Sequence, residues 1–152
     1  MWLVGMVFLI FAVDVALKDK IEKADAAEFP KELKGSKGRI MLYKNHNDGF
    51  PFGVLREKPE LVRMFPLILT SAIGGIFAWL FTKKGYRAEK IGFAMILGGA
   101  LSNLYDRWVR HYVVDYFSFQ WKALKKVVFN LGDIFVFLGS GILLVLELLR
   151  NR

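Results

Sequence analysis

The chain contains a long run, residues 65–81, in which no helical face carries a charged side chain. A helix of a soluble bundle normally exposes a polar stripe to water, and this run has none. The surrounding apolar block, 61–82, is interrupted only by Arg63 near its start. A helix needs about 20 residues to cross the hydrocarbon layer of a bilayer, so this block is long enough to span a membrane.

Three more apolar blocks occupy residues 1–18, 87–107 and 127–149. The last block is also long enough to span. The first is short, and the third reaches span length only if its charged ends extend to the interface. The mean hydropathy of +0.35 agrees with a membrane protein. We predict an all-α membrane fold, a single domain over residues 1–152 that forms a bundle of four transmembrane helices.

The distribution of lysine and arginine predicts the orientation of the bundle. Four basic residues crowd the short connection 83–90, and two more follow the last block at positions 150 and 152. Cytoplasmic connections are enriched in Lys and Arg, so we place both termini in the cytoplasm. The first loop, residues 19–60, is then extracytoplasmic. Its turn residues and the β-prone segment 39–43 predict a small β-rich cradle at the outer membrane surface.

Composition limits the chemistry that is available to the chain. It has no cysteine, which excludes a disulfide framework, a zinc–thiolate site, an iron–sulfur cluster and a cysteine nucleophile. Two histidines make a histidine-rich metal site improbable, and we predict neither a metal nor a cofactor. The net charge of +8 fits an anionic lipid surface, whereas nucleic acid would need a basic stripe on a soluble face. We expect a monomer that contacts membrane lipid and no nucleic acid.

Four aspartates, Asp14, Asp106, Asp115 and Asp133, approach the outer face of the predicted bundle. Ionisable residues at membrane depth are costly to bury and are therefore functional candidates. Two aspartates that lie close together share one proton, and the ionised one can then activate water to hydrolyse an amide. The same residues could instead form an interhelical polar clamp without catalysis. The residues alone leave both interpretations open.

Five segments of the chain match, in order, the motifs of one family. They are Asp14–Lys18, Asn47–Gly53, Gly98–Arg107, Val113–Phe117 and Phe129–Asp133. The last three resemble the patterns Gly-Gly-Ala-x-Gly-Asn-x-x-Asp-Arg, Val-Val-Asp-Phe and Phe-Asn-x-Ala-Asp of the lipoprotein signal peptidases (signal peptidase II). Together these three are highly specific, and the resemblance covers nearly the whole chain.

The chain departs from the family patterns at several positions. The first segment keeps its aspartate and lysine but loses the polar pair between them. Phe50 and Pro51 replace small residues, and we expect them either to narrow the region over the site or to stiffen the loop. Ser102 replaces a glycine and Gly132 replaces an alanine. Both residues are small, and we expect both changes to be tolerated.

The resemblance implies that Asp115 and Asp133 are the catalytic pair. Asp106 then has a structural role, pairing with Arg107 or with a helix end. Further family positions are expected to support the site or the substrate: Asn103, Arg107, Asn130, Asp14, Lys18, Asn47, Gly49 and Phe52.

The resemblance also implies an activity. The family cleaves the signal peptide of prolipoproteins just before a cysteine that carries diacylglycerol. We therefore expect an intramembrane aspartyl endopeptidase of the bacterial inner (cytoplasmic) membrane, multi-pass, with its active site near the outer face. The alternative is a non-catalytic membrane scaffold or substrate-binding homologue with the same polar cluster. A small transporter would need a polar path across the bilayer, whereas the candidate residues cluster at one face.

Overall fold

The computed structural model describes residues 1–49 and 57–150 of the chain. Four long helices hold most of these residues, and three short strands form one sheet. This confirms the prediction of a mostly helical fold with a small sheet. Within the described ranges, short 3-10 turns lie at Ala26–Glu28 and Lys122–Lys126. The helices are α1 (Trp2–Lys23), α2 (Pro59–Phe81), α3 (Arg87–Val109) and α4 (Leu131–Arg150), and the strands are β1 (Lys31–Glu32), β2 (Ile40–Asn47) and β3 (Val113–Phe119).

Two of the helices, α2 and α4, are long and apolar enough to cross a membrane. Large apolar side chains on both are more than half exposed, among them Phe65, Ile68, Leu144 and Leu148. A core helix of a soluble protein would bury such side chains, since each stabilises the fold by about 1.5–3 kcal/mol when it leaves water. Their exposure is therefore typical of surfaces that face lipid.

The helix α3 packs against each of the other three helices. Its contact with α4 is close because glycines face each other at two levels, Gly92 with Gly139 and Gly99 with Gly132. A Cβ atom on Gly139 would lie 2.5 Å from the carbonyl oxygen of Gly92, so a larger residue does not fit without a backbone shift. Small residues at such contacts let helix backbones approach each other within a membrane.

The sheet is antiparallel, with strand order β1–β2–β3. The strand β2 is longer than the predicted segment 39–43, and β3 comes from the connection after α3, where no strand is predicted. The first loop therefore supplies two of the three strands of this sheet, and the connection after α3 supplies the third. Asp115 and Ser118 are buried in β3, and these polar residues interrupt the apolar pattern that would reveal a buried strand.

The sheet is attached to the C-terminal end of α1. That helix continues to Lys23, beyond the predicted end of the first span at residue 18. Lys44 of β2 donates hydrogen bonds from Nζ to the carbonyl oxygens of Glu22 (2.7 Å) and Ala24 (3.0 Å). These bonds satisfy carbonyl groups that a helix end leaves without partners, and they fix β2 against α1.

Candidate active site

The two aspartates of the predicted pair lie on different elements and line the same cleft. Asp115 is in the middle of β3, and Asp133 is in the first turn of α4. The cleft has a volume of about 600 Å³, and Asn47, Asn103 and Arg107 line it as well. The structure thus brings residues from four separate parts of the chain to one place.

One buried amide links the two carboxylates. Asn130 precedes α4 and is fully buried. Its Oδ1 accepts a hydrogen bond from the backbone N–H of Asp133 (2.9 Å), and its own backbone N–H donates to Oδ2 of Asp133 (3.1 Å). This reciprocal pair is a capping box at the start of α4. The Nδ2 of Asn130 also donates to Oδ1 of Asp115 at 2.8 Å, so the helix cap holds the second aspartate as well.

The remaining carboxylate oxygens are held by two further amides. Asn47, the last residue of β2, donates from Nδ2 to Oδ2 of Asp115 at 3.2 Å. Asn103 of α3 donates from Nδ2 to Oδ1 of Asp133 at 2.8 Å. Each of the four carboxylate oxygens therefore accepts one hydrogen bond. Such donors fix the orientation of a catalytic carboxylate and stabilise its charged form.

The surroundings of Asp115 bring its pKa close to neutral pH. Burial is the main cause that raises the pKa of Asp115 to about 7, and the negative charge of Asp133 is the second. The hydrogen bonds from Asn130 and Asn47 act in the opposite direction, because they stabilise the carboxylate. A carboxyl group with its pKa near the ambient pH can both give and take a proton, as general acid–base catalysis requires.

Lys18 orients Asn103 from outside the cleft. Its buried Nζ donates to Oδ1 of Asn103 at 2.8 Å and lies 2.9 Å from Asp14 and 3.1 Å from Asp106. Because an ammonium group only donates, it selects the amide oxygen of Asn103 and turns the NH₂ group toward Asp133. The predicted residues Asp14 and Lys18 thus lie behind the cleft, where they support its wall.

Two residues that the sequence analysis does not assign to the site hold Asp14. Tyr116 donates from its hydroxyl to Oδ1 of Asp14 at 3.0 Å, and Ser102 donates from Oγ to Oδ2 at 2.6 Å. Burial and the charge of Asp14 raise the pKa of Tyr116, so its hydroxyl stays protonated as a donor. The backbone N–H of Leu131 also donates to Asp14, at 3.1 Å, which ties α1 to the start of α4. No local sequence signal indicates Tyr116, because its partner Asp14 lies 102 residues earlier in the chain.

Arg107 and Gly49 meet at the edge of the cleft. Arg107 donates from Nη2 to the carbonyl oxygen of Gly49 at 3.3 Å, and the backbone N–H of Gly49 donates to Oδ1 of Asn47 at 3.1 Å. These contacts connect α3 to the end of β2. Phe52, together with Phe50 and Pro51, lies outside the described residues.

Asp106 lies in the buried cluster beside Lys18, outside the cleft. Its carboxylate pairs with Lys18 and Arg110 and accepts a hydrogen bond from the backbone N–H of Val114 at 3.0 Å. Of the two expected partners, Arg107 or a helix end, these contacts support the second, since Arg110 is the C-cap residue of α3. Arg110 follows Asp106 by one helical turn, as Arg107 does not, and this spacing brings the two side chains together.

Comparison with known proteins identifies the family. The sequence model of the signal peptidase (SPase) II family matches residues 6–150. The lipoprotein signal peptidase of Pasteurella multocida is 34% identical over 108 residues, which is 70% of this chain and 65% of that protein. The lipoprotein signal peptidase of Allorhizobium ampelinum is also 34% identical, over 113 residues that are 73% of this chain and 68% of that protein. The matched segment thus spans about two thirds of the length of these curated relatives.

The fold is also found among solved structures. Two structures of bacterial membrane enzymes superimpose with TM-scores of 0.77 and 0.78 at 20% sequence identity. They cover 97% and 96% of this chain, and the matched parts are 90% and 92% of the solved chains. This likeness concerns the fold, while the family follows from the sequence match over nearly the whole chain. The protein belongs to the signal peptidase II family.

Proposed function

We propose that this protein is an intramembrane aspartyl endopeptidase that removes the signal peptide of diacylglyceryl-modified prolipoproteins before the lipidated cysteine. The observation that carries the aspartyl mechanism is the pair itself: Asp115 and Asp133 line one cleft and share the buried amide of Asn130. The substrate class rests on the family, whose curated relatives are named lipoprotein signal peptidases.

The pair performs hydrolysis by moving one proton in each direction. Asp133, ionised, takes a proton from a water molecule whose oxygen attacks the carbonyl carbon of the scissile bond. Asp115, protonated, gives its proton to the carbonyl oxygen, and a tetrahedral diol forms. The carbon–nitrogen bond then breaks as Asp133 returns its proton to the leaving nitrogen and Asp115 takes one from the diol. Both carboxyl groups regain their initial states, as general acid–base catalysis requires.

The membrane arrangement is part of the proposal. The helices α2 and α4 qualify as spans by length and composition. We infer that α1 and α3 span as well, because helices of 22 and 23 residues are about 33 and 35 Å long, enough to cross a hydrocarbon core of about 30 Å. With both termini in the cytoplasm, the sheet and the aspartates face the outer side of the bacterial inner membrane. The lipid of the substrate then stays in the bilayer while the peptide bond meets water.

Replacing each aspartate by asparagine tests the mechanism. Asparagine keeps the shape of the side chain but cannot carry the proton, so Asp115→Asn and Asp133→Asn should each lower kcat by at least ~10²-fold. The assay is cleavage of a purified diacylated prolipoprotein, with thermal unfolding measured on the same samples. Asp25→Asn is the matched control, since that exposed aspartate caps the turn at residues 26–28 and an amide oxygen can also accept its hydrogen bond. Near wild-type turnover by either folded variant would refute the assignment.

A further inference from the structure

A second cavity lies between the outer end of α1, the start of α4 and the sheet. Its volume is about 610 Å³. Apart from the stems of two lysines and the ring of Tyr116, the described residues that line it are apolar. They include Leu17 and Ile21 of α1, Leu42 and Phe117 of the sheet, Leu33 after β1, and Ile134 of α4. We call this cavity the cradle groove.

The depth of the cradle groove in the membrane rests on the proposed function, in which α1 spans the bilayer. With α1 in that position, the groove lies at the level of the outer lipid headgroups. The helix begins at Trp2, and Lys20 is 18 residues further along, about 27 Å at 1.5 Å per residue. The hydrocarbon core is about 30 Å thick, so Leu17 still lies at acyl-chain depth and Lys20 lies near the headgroups. An acyl chain can therefore enter the groove sideways from the bilayer.

Positive charge lies on the rim of the cradle groove. Lys20 is exposed and lines the groove, and Lys31 lines it from β1. Lys31 pairs with the exposed Glu28 at 2.5 Å, which offsets part of its charge. We propose that the cradle groove binds an anionic phospholipid of the surrounding bilayer, with one acyl chain in the groove and its phosphate facing Lys20 and Lys31.

The chemistry of the groove favours a bilayer phospholipid over the lipid of the substrate. Diacylglycerol on a substrate cysteine is neutral, so it gains nothing from two lysines, whereas a phosphate does. The catalytic cleft also has its own apolar wall, which includes Val127, Phe129 and Phe137. Tyr116 and Leu131 line the groove and donate hydrogen bonds to Asp14, whereas neither Asp115 nor Asp133 lines it.

Native mass spectrometry of the full-length protein in mild detergent tests the inference, with phosphatidylglycerol and phosphatidylcholine of identical acyl chains as probes. Wild type should bind phosphatidylglycerol more tightly. Each lysine near a phosphate contributes up to roughly fivefold, so Lys20→Ala/Lys31→Ala should weaken phosphatidylglycerol binding by roughly 10- to 30-fold. Phosphatidylcholine binding should weaken by a smaller factor, because its choline cation offsets the charge of its phosphate. Leu33→Trp, which fills the groove, should weaken both lipids.

The matched control is Lys122→Ala/Lys125→Ala, which removes the same charge from the exposed outer turn at residues 122–126. Equal binding of both lipids by wild type would overturn the inference. An equal loss in the control would do the same, because binding would then reflect general surface charge. Displacement of phosphatidylglycerol by a diacylated prolipoprotein, molecule for molecule, would assign the groove to the substrate and also overturn it.

Cleavage measured on the same preparations separates this inference from the proposed function. If wild type binds phosphatidylglycerol selectively but does not cleave a diacylated prolipoprotein, the proposed function fails and the lipid site stands. If wild type cleaves the substrate but binds both lipids equally, only the lipid site fails.

Discussion

Restoring alanine at position 132, as in the family pattern, should damage this protein. A Cβ atom on Gly132 would lie 2.8 Å from Oδ2 of Asp14 and 2.9 Å from the carbonyl oxygen of Gly99. The carboxylate and the backbone of α3 would both have to move. Overpacking of this kind costs about 1–3 kcal/mol, which corresponds to a melting temperature lower by roughly 2–12 °C in a chain of this size.

The second departure from the family, Ser102, is coupled to the first. The Oδ2 of Asp14 accepts from Oγ of Ser102 at 2.6 Å and lies 2.9 Å from Nζ of Lys18. Ser102→Ala removes the hydroxyl and opens space into which Oδ2 can move, away from position 132. Alone it should cost about 1–3 kcal/mol, because buried polar groups lose a partner. The double variant Ser102→Ala/Gly132→Ala should lose about 1 kcal/mol less stability than the two single variants lose together.

Wild type, the two single variants and the double variant form a double-mutant cycle. Thermal unfolding of these four proteins measures the coupling in stability, and cleavage of a diacylated substrate measures the coupling in activity. Because Asp133 adjoins position 132, we expect kcat/KM of Gly132→Ala to fall about tenfold, since sub-ångström displacement of a catalytic group is costly. Gly141→Ala is the control on the same helix: a Cβ there meets nothing within 4 Å, so it should be neutral or slightly stabilising.

Two results would refute this reasoning about Gly132. One is a Gly132→Ala protein that is as stable and as active as wild type. The other is a cycle that is additive within about 0.5 kcal/mol, which would show that Ser102 and Gly132 do not act through a shared carboxylate.

Two further predictions concern the groups around the pair. Asp106→Asn should lower the melting temperature, because Lys18 and Arg110 lose an ionic partner, but should keep substantial activity per folded molecule; a loss as large as that of Asp115→Asn would contradict this. Activity should fall as the pH rises through the pKa of Asp115, about 7, because the proton donor is then lost. Asn47→Ala removes a hydrogen bond that stabilises the Asp115 carboxylate, so this alkaline limb should move to higher pH; an unchanged kcat/KM profile would refute the role of Asn47.

The sequence predicts those parts of the fold whose residue pattern along the chain can be recognised without knowledge of tertiary contacts. The uncharged run 65–81 predicts α2 because a hydrophobic span needs no partner to be recognised. The strand β3 has no such signal, since Asp115 and Ser118 are buried in it for reasons that only the tertiary structure supplies. The same holds for Tyr116: a tyrosine in a short strand gives no indication that its hydroxyl will meet a carboxylate on the first helix.

Asn130 shows why a local pattern predicts only half of a residue's role. An Asn three residues before an Asp, ahead of an apolar run, predicts a helix cap, and Ser, Thr or Asp would serve that role equally well. The structure adds a second demand, because the same side chain must also donate to Asp115. Ser or Thr would have only one hydroxyl for both tasks, and Asp would place a third carboxylate beside the pair. A hydroxyl can accept and donate from its single oxygen, whereas the amide of Asn130 accepts from the helix at Oδ1 and donates to Asp115 from a separate atom, Nδ2, so the two aspartates together, rather than the helix alone, determine the residue.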